Sequence, residues 1–299
     1  MPLLMIVAPL LVFQAQTEPL LKLRTLIAPV EVKVQGVAQT APTPSGSVVT
    51  VTLDIQQPTE FGTGLTEMLT TALVESKRFK VFEEVGKDSV TYTVKAAITE
   101  FKLNRTVTGS QGQLAKAIDF SQGAATATVA LDLRVVENAT GLVRYSVRAE
   151  GKATSKAQSL SLVKGDLKIG NTRFESSPLG KAVREAISQG VKLVGERLSK
   201  LPWEARVADV FEEDGKIRVS LNVGEDSGLK VGDVLELRQL GEPITDPETG
   251  RVLGVRRGKK YGECTVTELG AELTTTEATQ QSDVKRGDLA VFVRRPKKL

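Results

Sequence analysis

The helical pattern of this chain ends at Leu201-Pro202. Before that point, segments with helix spacing and segments with strand spacing alternate. After Trp203, only strand-like segments follow. A switch of this kind divides 299 residues into two parts built by different rules. Just before it runs SSPLGKAVREAISQGVKLVGERLSKL. Ser177 is placed to cap a helix, and Pro178 fits its first helical position. Val183, Ile187, Val191, Val194 and Leu198 form one apolar stripe. Beyond it, EARVADVFE, GKIRVSLN, GDVLELRQL, YGECTVTEL and GDLAVFVRR read as short strands between turn residues. They predict a small all-β barrel over residues 204–299. Within it, GLKVGD (Gly228 to Asp233) and VKRGD (Val284 to Asp288) share one shape, a Gly-Asp turn entering a strand.

The first part reads as an α/β domain over residues 26–203. Strands are predicted from Leu26 to Val37 and Val48 to Ile55, with QTAPTPSGS (Gln39 to Ser47) as a loop between them. GTGLTEMLTTALVESKRFKVFEE (Gly62 to Glu84) then predicts a helix and a strand. Thr63 is its expected cap; Leu65, Met68, Leu69, Ala72 and Leu73 share one face; Lys77 and Arg78 suit the C-terminal end of the macrodipole. Long alternating strands follow at Val90 to Leu103, Thr126 to Glu137 and Leu142 to Gly151, the last two joined by a hairpin turn at Asn138–Gly141. Asn138-Ala139-Thr140 also matches a glycosylation sequon, for which the turn is a sufficient explanation. Two stretches, Asn104 to Ala125 and Thr154 to Glu175, interrupt this pattern, and each is long enough for a hairpin.

The chain contains no histidine, which removes Ser-His-Asp and Cys-His catalysis and HExxH zinc chemistry. Lys and carboxylate chemistry remain, but no constellation of either supports an enzyme. Cys264 is the single cysteine, so an intrachain disulfide is impossible, and its strand-like flanks predict burial. The net charge of +4 comes largely from RRGKK (Arg256 to Lys260) and the terminal RRPKKL. With only 4 % aromatics these runs read as solvated turns and a frayed terminus, and no nucleic-acid partner is predicted. GTGLTE carries a glutamate where a dinucleotide fingerprint needs its third glycine, and GVRRGKK lacks P-loop spacing. DPETG (Asp246 to Gly250) offers oxygen ligands but is first a turn sequence, and Glu83-Glu84 point to opposite strand faces. The prediction is no catalytic residue, no cofactor and no metal. The uncharged apolar run Pro2 to Phe13 predicts an exported chain with a signal peptide over residues 1–16.

GLTEMLTTALVESKRFKVFEE, VKAAITEFK, VALDLRVVENATGLVRYSVRAEGKA and SSPLGKAVREAISQGVKLVGERL, in that order, resemble blocks of the CsgG family, the curli production assembly and transport component. The resemblance spans Leu26 to Trp203. It implies a CsgG-like α/β periplasmic domain with two inserted hairpin segments. It implies a homo-oligomeric ring in the periplasm or at the outer membrane, with itself, secreted or appendage subunits and the membrane as partners. The hairpins that build the family's barrel fall here at 104–125 and 154–175, which makes Leu160, Leu162, Leu167 and Ile169 the candidate membrane or partner contacts. The family's constriction loop corresponds to Gln56 to Thr63, with Phe61 its only aromatic. This sequence departs from the pattern in three respects. No cysteine follows the apolar run, Glu84 stands where an arginine is familiar, and the two segments carry Lys116, Asp119, Lys156, Lys164, Asp166 and Lys168. The last 95 or so residues resemble the C-terminal domain of the flagellar assembly protein FlgT, through GLKVGD, the DPETG turn and Gly287-Asp288. That likeness implies a scaffold contact in the envelope.

Overall fold

The computed structural model describes residues 21–34, 38–43, 46–52, 58–83, 90–107, 125–155, 172–250, 252–279 and 283–296. The predicted signal peptide lies outside these residues.

The first part is built around one long strand. β6 (Tyr92–Val107) pairs antiparallel with β7 (Ala125–Glu137) from Tyr92 to Arg105, and β7 pairs with β8 (Val143–Ser155). The other side of β6 is covered in succession. β1 (Leu23–Ile27) pairs parallel at Thr25↔Tyr92, β2 (Glu31–Val32) parallel at Glu31↔Ala97, and β4 (Gly46–Thr52) antiparallel at Ser47↔Val107. β3 (Ala38–Thr43) and β5 (Phe79–Phe82) add to β4 and β1 at the margin. The predicted loop from Gln39 to Ser47 is therefore largely a hairpin. β3 accepts Pro42 because an edge strand needs no inner N–H there.

Two helices cover one face of this sheet. α1 (Pro58–Glu75) buries Phe61, Leu65, Leu69 and Leu73, one residue per turn. It begins five residues before the expected cap, so Thr63 is an exposed residue inside the helix and Pro58 supplies the start. After the five-residue α2 (Thr172–Ser176), α3 (Pro178–Leu198) follows the predicted design. The Ser177 hydroxyl accepts from the Gly180 N–H at 3.1 Å, and the five stripe residues are buried. α3 sits tightly on β8: a Cβ on Gly151 would stand 1.8 Å from the Ala182 carbonyl oxygen.

β6 keeps its apolar residues on the helix side by means of a bulge between Ile98 and Glu100. Val94, Ala96 and Ile98 face the core before it, and Phe101 and Leu103 face the core after it. The opposite face is polar. Arg148 there reaches Glu100 at 3.2 Å and Asp132 at 3.5 Å, and Thr99 donates to Asp132 at 2.9 Å. One face packed and one solvated is the ordinary economy of an antiparallel sheet.

The second part is a closed barrel in the order β10-β15-β14-β11-β16-β9. The strands are β9 (Glu204–Glu213), β10 (Lys216–Leu221), β11 (Val234–Arg238), β14 (Lys260–Leu269), β15 (Thr274–Ala278) and β16 (Leu289–Arg294). β12 (Pro243–Thr245) and β13 (Val252–Val255) form a separate ribbon. The ribbon and β15 are additions to the five predicted strands. Val207, Val219, Leu221, Leu235, Cys264 and Val266 lie in the barrel core.

The two Gly-Asp turns are structural twins. Gly232 and Gly287 take φ of 91° and 88°, where glycine is favoured. The Asp233 carboxylate accepts from the Lys230 N–H at 2.9 Å, and Asp288 accepts from Lys285 at 2.8 Å. Each glycine N–H donates to a neighbouring strand, Gly232 to Val266 and Gly287 to Val207, both at 2.8 Å. The shape shared in the sequence thus marks two equivalent corners of the barrel.

Candidate functional site

Two places on the molecule bring functional candidates together, and they lie at opposite ends of β6. At the far end, Arg105 pairs with Ala125, Ala125 with Ser155, and Val107 with Ser47. Chain segments 108–124 and 156–171 therefore leave from neighbouring strands at one end of the sheet, where β4 also begins at Gly46. Leu160, Leu162, Leu167 and Ile169 belong to the second segment and lie outside the described residues.

Phe61 is placed differently from its expected loop. It is 3 % exposed on α1, edge-on to Phe101 at 5.6 Å and to Phe174 at 5.8 Å between ring centroids. Three rings in T-shaped contact form a core cluster. The expected constriction loop is correspondingly corrected, since residues 58–63 are helical.

GTGLTE also acquires a structural role. The helix starts before it, so its glycines do not form a helix N-terminus. A Cβ on Gly62 would meet the Val30 carbonyl at 2.7 Å, and the Thr66 hydroxyl bridges the two segments. It donates to the Gly62 carbonyl at 2.7 Å and accepts from the Val30 N–H at 2.9 Å. In DPETG, Asp246 Oδ1 accepts from the N–H groups of Glu248 and Thr249 at 2.9 and 3.1 Å, as in an Asx turn. Among the described residues no group of three or more acidic or cysteine side chains is gathered for a metal.

The near end of β6 meets the barrel. Lys22 N–H donates to the Ser227 carbonyl at 2.8 Å, the Trp203 indole donates to the Lys22 carbonyl at 3.0 Å, and Arg24 Nη1 donates to the Asn222 carbonyl at 2.6 Å. Lys80 on β5 pairs with Asp226 at 3.1 Å and Glu272 at 3.5 Å. Leu23 packs against both apolar cores. β1, a sheet strand, is thus anchored to the barrel at its N-terminal end, with Lys80 on the neighbouring β5 adding ion pairs. Beside it, between the Asn138–Gly141 turn and the barrel, a cleft of about 450 Å³ opens. Sequence reasoning missed this cleft, because its walls come from segments far apart in the chain.

Charges at the cleft feel its burial. Glu204 is pushed above the ordinary glutamate value by burial; Arg206 and Arg238 pull it down and Glu137 pushes it up. Tyr92, next to Glu137, is pushed up to about 12, chiefly by burial and then by Glu137 and Glu204. Glu137 is held by Arg144 at 2.8 Å.

The family model for the curli production assembly/transport component CsgG matches residues 84–219. The chain is similar to that family from β6 through α3 and into the first two barrel strands. The helix of the opening resemblance block precedes the matched span. No protein of curated function matches the chain. Among solved structures, the chain resembles CT253 from Chlamydia trachomatis, with 12 % identity, TM-score 0.37, and coverage of 59 % of this chain and 98 % of that one. It resembles XCC0632 from Xanthomonas campestris, with 15 % identity, TM-score 0.33, and coverage of 61 % and 88 %. It also resembles a PelC dodecamer from Paraburkholderia phytofirmans, with 12 % identity, TM-score 0.27, and coverage of 57 % and 86 %.

Proposed function

We propose that this chain is a non-enzymatic assembly or transport component of the cell envelope, exported and acting as a homo-oligomeric ring. The observation that carries this reading is the match to the CsgG family over the strands from which both candidate segments emerge. β6 spans ~50 Å at about 3.3 Å per residue over its 16 residues. In this reading the segments at its far end meet the membrane or a partner, and the barrel at its near end is a separate domain beyond residue 203. Leu160, Leu162, Leu167 and Ile169 are the proposed contacts of the second segment. The barrel's FlgT-like turns support a scaffold contact for that domain.

A second reading, a soluble periplasmic scaffold without a channel, is favoured by the charges in the segments. Lys116, Asp119, Lys156, Lys164, Asp166 and Lys168 weaken the lipid-facing apolar row that a transmembrane barrel requires. Expression of the full chain in a double-membrane bacterium, followed by separation of periplasm from alkaline-washed membranes, tests both. Recovery in the washed membranes supports the channel. Recovery as a soluble oligomer supports the scaffold. Retention in the cytoplasm with its N-terminus intact contradicts both.

A further inference from the structure

The cleft between sheet and barrel is bordered by five arginines, Arg24, Arg206, Arg238, Arg256 and Arg257, against two carboxylates, Glu137 and Glu204. Three of the arginines are held in place by the protein. Arg24 donates to Asn222, Arg206 donates to the Gly287 carbonyl at 3.1 Å, and Arg238 pairs with Glu236. Arg24 Nε is buried without a hydrogen-bond partner among the described residues. Burial lowers the Arg24 pKa, and the charges of Asp226 and Glu272 offset this only in part. Its positive charge is thus incompletely balanced by the protein.

Arg256 and Arg257 stand at the rim, exposed and without an ion pair among the described residues. Their backbone is nevertheless fixed. Arg256 N–H donates to the Glu242 carbonyl and Gln239 N–H to the Lys259 carbonyl, both at 2.8 Å. A Cβ on Gly241 would stand 1.7 Å from the Arg256 carbonyl oxygen, and one on Gly258 1.9 Å from that of Gln239. Only glycine lets these two segments cross so closely, and the crossing holds both arginines beside the opening. The run is solvent-exposed, as its sequence predicts, but its backbone is fixed beside the cleft.

We propose that this cleft binds a small ligand through an oxyanion, a phosphate or a carboxylate, with Arg256 and Arg257 closing on it from the rim. Guanidinium forks match both groups in geometry and charge. A volume of about 450 Å³ lies within the range of small-molecule sites. A net positive lining in a recess concentrates such anions. The site is independent of the ring and of the segments at the far end of the sheet.

Isothermal titration of the full chain with sodium pyrophosphate and, separately, with citrate at constant ionic strength tests this. Saturable one-site binding of either anion is expected. Pyrophosphate alone identifies a phosphate site, citrate alone a carboxylate site, and both a general oxyanion site. The double variant Arg256→Ala and Arg257→Ala is expected to bind at least tenfold more weakly with an unchanged circular-dichroism spectrum. Lys181→Ala with Lys192→Ala, two exposed α3 lysines outside the lining of the cleft, removes the same charge and is expected to bind as the parent does. Glu204→Gln, which removes a repelling charge, is expected to bind several-fold more tightly. Absence of saturable binding by both anions, or equal weakening in the two double variants, overturns the proposal.

Discussion

The indole N–H of Trp203 donates to the carbonyl of Lys22 at 3.0 Å, across 181 residues of chain. That bond ties the residue before β1 to the residue before the first barrel strand. Trp203 is 5 % exposed and belongs to the barrel core, and its own carbonyl accepts from Phe292. Trp203→Phe removes the bond and keeps most of the apolar area, at a cost of about 1 kcal/mol. Trp203→Ala also leaves a cavity, at a cost of about 3–5 kcal/mol. Urea unfolding followed by circular dichroism should show one transition in the parent and a split transition in Trp203→Ala, as sheet and barrel uncouple.

The two barrel corners predict unequal consequences for equivalent substitutions. Asp233 is buried, and Arg295 grips it through two bonds of 2.8 Å, with Arg295 also donating to the Gly228 carbonyl. Asp288 instead accepts from the Leu240 and Lys285 N–H groups. Asp233→Asn removes the buried charge that Arg295 grips, at a cost of about 3–5 kcal/mol. Asp288→Asn keeps one carbonyl acceptor and should cost about 1–2 kcal/mol. Equilibrium denaturation of both variants checks the order.

Gly151→Ala should destabilise the sheet–helix layer by about 1–3 kcal/mol, because the new methyl meets the α3 backbone rather than a movable side chain. Gly254→Ala, where nothing stands within 4 Å of the added carbon, serves as the tolerated control. Thermal melts of the pair separate packing from intrinsic backbone effects.

Glu204 gives the junction a pH signature. Its folded pKa is raised, so the folded state holds the proton more tightly than the unfolded chain does. Its contribution therefore falls as pH climbs from the ordinary glutamate value through the raised one. Glu204→Gln should be more stable than the parent at neutral pH. The gain should vanish at acid pH, where both chains are uncharged at this position. Melting temperatures across that range test the sign.

Cys264 is buried, and burial pushes its thiol up to about 11. Thiol reagents at pH 8 should modify it only as fast as the barrel opens, and stoichiometrically in denaturant. Rapid labelling of the folded chain would remove it from the barrel core.

Much of the architecture was legible because local chemistry and tertiary packing agreed. Ser177, Pro178 and an unbroken stripe specify α3, and Gly232-Asp233 and Gly287-Asp288 mark both corners. The start of α1 is obscured because Thr63 resembles a cap, whereas the helix opens at Pro58, before its apolar face begins. β15 escaped because TTTEA shows no apolar alternation. Its Thr274 and Thr276 hydroxyls are buried, donating to the Val223 and Val219 carbonyls, and its partner strands supply the core. β3 was hidden by Pro42, which only an edge position tolerates. The cleft was invisible for a different reason. Arg24, Glu137, Asn222 and Arg256 become neighbours through the fold, and no spacing in the sequence records it.

The central claim is that copies of this chain assemble into a closed ring, and imaging tests it most directly. Negative-stain electron microscopy of the purified full chain, in detergent if the membrane fraction holds it, should show rings of one rotational order, with particle mass a fixed multiple of the protomer. A field of uniform particles at the mass of one protomer, at concentrations up to those in the envelope, would contradict the ring.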